Sequence, residues 1–580
     1  MLFKSKKKAK NFYMPGQEIR INEKQSIQTF YPEKKEDANP FKPKIILLIL
    51  GFSLVYLIIC IRLILLCSSN NLLENKYKNS NQKLSAGVTE KIRRADIIDR
   101  NGNILATSLP TTDLHKVVEN VENPEEIARE LQKIIPDLNY DYILKRLQMK
   151  KKFVYIKRNL TPQQIYQINA LGHHELEFQK SEKRIYPYKN LFAHIVGYTD
   201  TDNIGIAGLE KKMDERLTSS DIPLKLSLDL VVQDIIHEEL SNAVKKFNAE
   251  GGVAILMDVN TGKIIAMVSL PDFDPNIKKF ESVDVIKNFA TEGTYEPGSV
   301  FKVFNAALGL NTGKITLTEK FDTTKDFKVR GKMIRGYREV RTWQTVGDIL
   351  INSSNLGSAR IALKVGRDDQ REFLKNLGMF DKVPNIEVTE RAHPILPPKR
   401  WTEETVATVS YGYGISVSPL HIITAFSGIV NGGIYHEPTI LADGPERKSH
   451  RVVSEKVSEM MRPLLRDVVI KGSGKNANVK GYEVAGKTGT ANKIENGKYV
   501  KNAVRTSFIS TFPASNPQYA LLVMMDEPKA SKETYGFSTA GWNSVPTAGK
   551  IIARIAPQLN VPANFLLEEQ KKHIIEASYR

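Results

Sequence analysis

Residues 294–310 read TYEPGSVFKVFNAALGL, and the reading of the whole chain turns on them. Tyr295-Glu296-Pro297-Gly298 is a turn-like approach, and SVFKVFNAALGL behind it reads as a helix. Ser299 then falls in a first helical turn, on one face with Lys302. A serine hydroxyl is a poor nucleophile until a base takes its proton, and a lysine serves as that base when burial and nearby cations lower its pKa. N–H groups at the start of a helix also favour developing negative charge. By itself S-x-x-K is cheap. It recurs at Ser5 and Ser80, and an isolated match is usually a surface serine beside a solvated lysine.

Two later elements supply specificity through their order. Ser353-Ser354-Asn355 follows TVGDILINSS, which reads as a helix entering a loop. A hydroxyl there can relay a proton, and an asparagine amide can hold a substrate amide because it both donates and accepts. The competing role for Ser353 and Asn355 is turn or helix capping. Lys487-Thr488-Gly489-Thr490 precedes the turn signal Glu495-Asn496-Gly497-Lys498 and reads as one strand of a hairpin. Such a strand can bind a peptide backbone by β-addition. Lys487, Thr488 and Thr490 would then meet a carboxylate, and Gly489 would admit the substrate closely. The competing role is an edge strand with a protective lysine. Gly481 to Thr488 also fits G-x-x-x-x-G-K-[ST], and LLVMMDE at 521–527 imitates a magnesium-positioning strand. A phosphate loop should open a helix, whereas Gly489-Thr490 and the following turn signal a strand, so an ATPase is set aside. There is no G-x-S-x-G and no H-E-x-x-H, and no metal or cofactor is expected.

At 580 residues the chain should form three or four structural units. With 41% hydrophobic and 26% charged residues, it is neither disordered throughout nor wholly membrane-embedded. Both cysteines, Cys60 and Cys67, lie in the apolar run 45–67, so thiol chemistry is absent from the rest. That run is long enough to span a bilayer and reads as a single uncleaved transmembrane helix, with Arg62 either snorkelling to the far interface or facing a partner helix. Residues 1–44 hold eleven Lys/Arg against five Asp/Glu, which places this tail in the cytoplasm and everything after residue 67 outside. The tail's charge is read as topology and lipid contact, with no nucleic-acid partner, while the milder excess beyond residue 67, 71 Lys/Arg against 60 Asp/Glu, is compatible with an anionic cell-wall polymer and carries no functional claim. Residues 68–220 mix short strands with helices expected at 124–135 and 161–171. A second external domain, 221–560, starts just before Leu224 with a strand and an amphipathic helix. It continues with a hairpin through Asn260-Thr261-Gly262. Residues 561–580 form a C-terminal tail.

Together, Tyr295-Glu-Pro-Gly-Ser299, Ser353-Ser-Asn355, Tyr411-Gly-Tyr-Gly-Ile-Ser-Val-Ser-Pro419 and Lys487-Thr-Gly-Thr490 make the sequence resemble a class B penicillin-binding protein. The upstream region is similar to that family's pedestal in Arg94-Ala-Asp-Ile-Ile-Asp99-Arg100-Asn-Gly102, Arg184-Ile-Tyr186-Pro187-Tyr188 and Gly205-Ile-Ala-Gly208-Leu-Glu210. The resemblance implies a single anchor, a mixed α/β pedestal and an α/β transpeptidase domain with a central antiparallel sheet flanked by helices. It implies a D,D-transpeptidase that cross-links peptidoglycan stem peptides ending in D-alanyl-D-alanine and is acylated by β-lactams. By similarity Ser299 is the nucleophile and Lys302 its base. Ser353 shuttles the proton, Asn355 holds the stem, and Lys487 supplies charge near Ser353. The N–H groups of Ser299 and Thr490 form the oxyanion hole, and the Thr488 and Thr490 hydroxyls lie near the terminal carboxylate. Val300 and Ala95 depart from residues usual in the family at those places. The ending Thr539-Ala-Gly-Trp542-Asn543-Ser-Val-Pro546-Thr547-Ala-Gly resembles division-specific members. It implies a septal role beside a multi-pass glycan polymerase and other division-site membrane proteins, in the bacterial inner membrane with the catalytic domain in the periplasm. An elongation-type enzyme and a non-catalytic β-lactam sensor or scaffold of the same fold are the alternatives.

Overall fold

The computed structural model describes residues 50–62 and 93–565 except 278, 281, 338, 383–385, 446, 496 and 497. The chain divides into two compact units, residues 1–91 and residues 92–580. In the first, residues 50–62 are helical and their side chains largely exposed. The rest of the expected 45–67 anchor, the 1–44 tail and the whole of the 68–90 linker lie outside the described residues, as does most of the 561–580 tail. Among the described residues no helix is long and apolar enough to cross a membrane.

The second unit holds two five-stranded sheets. In the first, the order is Val154–Leu160, Ile104–Lys116, Ile97–Ile98, Leu224–Lys225, with Leu176–Ile185 also paired to Ile104–Lys116. Helices Pro124–Ile134, Tyr140–Leu147 and Pro162–Leu171 seal one end through Ile127, Leu131, Ile143, Leu147 and Ile168. The 162–171 helix starts as its punctuation requires. The Thr161 hydroxyl accepts from Gln164 N, the Gln164 side chain returns to Thr161 N, and Gly172 exits in the left-handed region. Leu224, read from the sequence as opening the second domain, completes the first sheet instead. Leu224–Lys225 pairs in parallel with Ile97–Ile98, which gives its backbone partners that an isolated two-residue strand would lack.

The second sheet is antiparallel throughout, in the order Ala485–Glu495, Lys498–Phe512, Tyr519–Asp526, Gly251–Asp258, Ile264–Leu270. Alternation along Gly251–Asp258 explains its unbroken apolar run. Val253, Ile255 and Met257 enter the core containing helices Phe301–Asn311 and Pro419–Val430. Ala254 and Leu256 enter the opposite core with Leu230–Lys246 and Ser544–Gln558. A strand covered on both faces has no reason to alternate with polar residues. The expected hairpin through residues 260–262 is present, joining Gly251–Asp258 to Ile264–Leu270.

Candidate active site

A short 3-10 turn, Gly298–Val300, carries Ser299 into the helix Phe301–Asn311, so Lys302 lies one turn on, inside the protein at 1% exposure. Lys302 Nζ lies 3.0 Å from Ser299 Oγ and 3.2 Å from Ser353 Oγ, and it donates to the Ser353 carbonyl. Lys487, fully buried on the strand Ala485–Glu495, places its Nζ 3.0 Å from the same Ser353 Oγ. Three sequence elements that span almost two hundred residues thus converge on one hydroxyl.

Ser353 adopts φ 54°, a left-handed conformation that costs a non-glycine residue about 1–3 kcal/mol and gathers at functional sites. It turns its carbonyl onto Lys302. Asn355 does not sit in a loop. It is the first residue of the helix Asn355–Val365, and the cap is the middle serine, Ser354, whose Oγ accepts from Gly357 N at 2.9 Å. Capping therefore falls on the one member of the triplet to which no chemistry was assigned.

On the strand, Thr488 Oγ1 is 2.6 Å from Ser473 Oγ, and Thr490 Oγ1 accepts from Ala540 N at 3.3 Å. At Gly489 a Cβ would fall 2.4 Å from Ser507 Oγ, 2.9 Å from Val300 Cγ2 and 3.0 Å from Pro297 O, so the bare Cα makes room for the nucleophile turn. Residues 487–490 lie within a strand, which excludes the phosphate-loop geometry, and Asp526 ends the strand Tyr519–Asp526.

The Tyr411 to Pro419 segment supports the turn from below. Tyr295 and Val417 exchange both backbone hydrogen bonds at 3.0 Å, Gly298 N donates to Gly412 O at 3.1 Å, and the Glu296 carboxylate accepts from Gly414 N at 2.7 Å. Burial raises the Glu296 carboxyl above the usual range.

The electrostatics suit the chemistry. Burial, and next the charge of Lys487, hold Lys302 well below the ordinary lysine value, while Glu339 opposes the shift. Burial brings Lys487 down to about 7. Glu339 escaped the sequence reading. It accepts a hydrogen bond from Ser354 Oγ, burial raises its carboxyl, and its Oε2 is buried with no hydrogen-bond partner among the described residues. Ser473 was also missed, since an isolated serine carries no sequence signal of such a contact, while Gly412 and Ala540 fell inside motifs without being given a site role.

Comparison with known proteins gives two family matches: "Penicillin binding protein transpeptidase domain" over residues 252–545 and "Penicillin-binding Protein dimerisation domain" over residues 89–222. The chain is 34% identical to the probable peptidoglycan D,D-transpeptidase FtsI of Caulobacter vibrioides, covering 81% of this chain and 82% of that protein. It is 31% identical to the probable peptidoglycan D,D-transpeptidase PenA of Neisseria gonorrhoeae, covering 77% and 82%. Among solved structures, penicillin binding protein 3 of Mycobacterium tuberculosis complexed with aztreonam shares the fold. Its TM-score is 0.66 at 22% identity, over 82% of this chain and 98% of that one.

Proposed function

Given that the chain belongs to the class B penicillin-binding proteins and is a peptidoglycan D,D-transpeptidase, we propose that Ser299 is its nucleophile and that it acts at the division septum. The observation that carries the residue assignment is the 3.0 Å approach of a buried, pKa-depressed lysine to Ser299 Oγ. Neutral Lys302 takes the Ser299 proton as Oγ bonds to the carbonyl between the two terminal D-alanines. The tetrahedral oxyanion that forms is met by the N–H groups of Ser299 and Thr490. Its collapse breaks the C–N bond, and the leaving D-alanine amine receives a proton through the Ser353 hydroxyl. Lys487 supplies positive charge at Ser353, Asn355 holds the acylated stem, and Thr488 and Thr490 receive the terminal carboxylate. An amine of a second stem then attacks the ester, its proton passes back to the base, and Ser299 is released. β-Lactams acylate the same oxygen.

Similarity to a protein named FtsI supports the septal reading, and the anchor expected at 45–67 supports a single-pass inner-membrane protein with its catalytic domain in the periplasm. A multi-pass glycan polymerase and other division-site membrane proteins are the partners this reading requires. The test is intact mass of the full-length chain after incubation with benzylpenicillin. One adduct per chain is expected, and none on Ser299→Ala. An equal adduct on the variant, or none on folded parent protein, overturns the assignment.

A further inference from the structure

One helical turn beneath the reacting groups, a buried polar chain ties three elements of the site together. Asn305, three residues beyond Lys302, donates from Nδ2 to Ser358 O at 2.9 Å and to Ser358 Oγ at 3.0 Å. Ser358, three residues beyond Asn355, donates from Oγ to Ser410 O at 2.9 Å. Ser410 ends the helix Glu403–Val409 and directly precedes Tyr411 and Gly412, the latter holding the nucleophile turn. The three side chains are 5%, 1% and 1% exposed, and Asn305 Oδ1 is buried with no hydrogen-bond partner among the described residues. Leucine would fill this place beside Phe301, Phe304 and Leu308 without burying an unpaired acceptor. An amide held here at that disadvantage has a use other than packing.

We infer that Asn305 is a positioning residue for the acylation step. Through Ser358 and Ser410 it fixes the spacing between the helix bearing Ser299 and Lys302, the helix bearing Asn355 and the segment that seats the nucleophile turn. The inference rests on Ser299 and Lys302 acting as proposed above. Lys302 is faced by Lys487 from its strand and by Glu339 from the loop before the Val346–Ile351 helix. If the helices separate, Lys302 moves from Lys487 and gains water, and both changes raise its pKa.

The experiment measures the second-order rate of acylation of the full-length chain by benzylpenicillin from pH 5 to 9, with thermal midpoints alongside. It compares the parent, Asn305→Leu, Ser358→Ala and the double variant. Asn305→Leu is expected to acylate about tenfold more slowly at pH 7 with an undiminished thermal midpoint. Its acid limb is expected to move up by about half a pH unit. Ser358→Ala, which keeps the backbone acceptor, is expected to shift the same way by less. The double variant should resemble Asn305→Leu, because the two act through one connection. An unmoved acid limb in both single variants overturns the inference, whether the rate holds or falls in step with loss of folded protein. Failure of the parent to acylate sinks the assignment of Ser299 instead.

Discussion

Lys302 and Lys487 stand 3.2 and 3.0 Å from one hydroxyl oxygen, and two ammonium groups so placed cannot both stay charged cheaply inside a protein. Lys302 bears burial and the repulsion of Lys487 together, so it is the member that gives up its proton first and acts as base, leaving the charge with Lys487. As pH falls the pair takes up its second proton, the base is lost, and acylation declines along an acid limb that lies well below the ordinary lysine value. Lys487→Met removes the repulsion, so the Lys302 pKa rises and the limb moves up by about one pH unit. The plateau rate should fall about 100-fold with the loss of positive charge at Ser353. Rapid-mixing acylation by a chromogenic cephalosporin across pH checks both. A downward shift of the limb would reverse the assignment of the two lysines. The same burial has a stability consequence. Between about 7 and the ordinary value of 10.5 the unfolded chain holds more protons at Lys487 than the native one, so stability rises with pH across that window.

Positive-φ glycines, not side chains, set how closely the elements of the site approach. Gly412 has φ 83°, and a Cβ on it would lie 2.1 Å from Gly298 O and 2.5 Å from Gly298 N, backbone atoms of the turn that carries Ser299. Gly412→Ala must therefore strain its own backbone and displace that turn. It should cost more than about 1 kcal/mol of stability. A displacement near 1 Å should slow acylation about 100-fold. Thermal unfolding and benzylpenicillin acylation of the same preparation measure the two effects, and a parental acylation rate would show that the turn is held elsewhere. This element scale also marks where the sequence was legible. The cap at Thr161, the helix after Ser299 and the two hairpins of the second sheet were readable because each signal is local, a few residues wide and tied to one period or one turn. Ser299, Lys302, Ser353 and Lys487 were readable because ordered motifs carry them. Glu339 was not, since a carboxylate reaching Ser354 from 15 residues upstream leaves no periodic trace. Asn355 was placed in a loop because Ser353, Ser354 and Asn355 are all capping types, and only the backbone reveals which one caps. At Gly489 composition shows that a Cβ is missing, not which side of the strand uses the space.

Across the whole of the second unit, the three motifs of the pedestal prove to be one buried charge cluster. Arg94 Nε and Arg184 Nε each donate at 2.7 Å to the fully buried Glu210 carboxylate, Arg94 also reaches Asp214 at 2.7 Å, and Tyr186 OH lies 3.4 Å from Glu210 Oε1. The pedestal is also strapped to the transpeptidase region. Asp99 accepts from Leu230 N at the start of the helix Leu230–Lys246, Asn276 exchanges two hydrogen bonds with the Tyr186 backbone, and Glu390 accepts from Gly208 N. All three straps attach within the very motifs that Glu210 organises, so loss of the cluster should be felt on both sides. Glu210→Ala leaves Arg184 buried without its carboxylate and Arg94 with Asp214 alone, a change that costs about 3–5 kcal/mol. The three tryptophans, Trp343, Trp401 and Trp542, all lie within residues 252–545, so tryptophan fluorescence reports unfolding of the transpeptidase region and is silent on the pedestal. If the straps make one cooperative unit, Glu210→Ala lowers the urea midpoint read by tryptophan fluorescence as much as that read by circular dichroism. A tryptophan transition that keeps its parental midpoint while circular dichroism splits into two steps would mean that the straps align the two regions without coupling their stability. Penicillin acylation by the folded variant should stay at the parental rate, because every group that reaches Ser299 comes from residues beyond the pedestal.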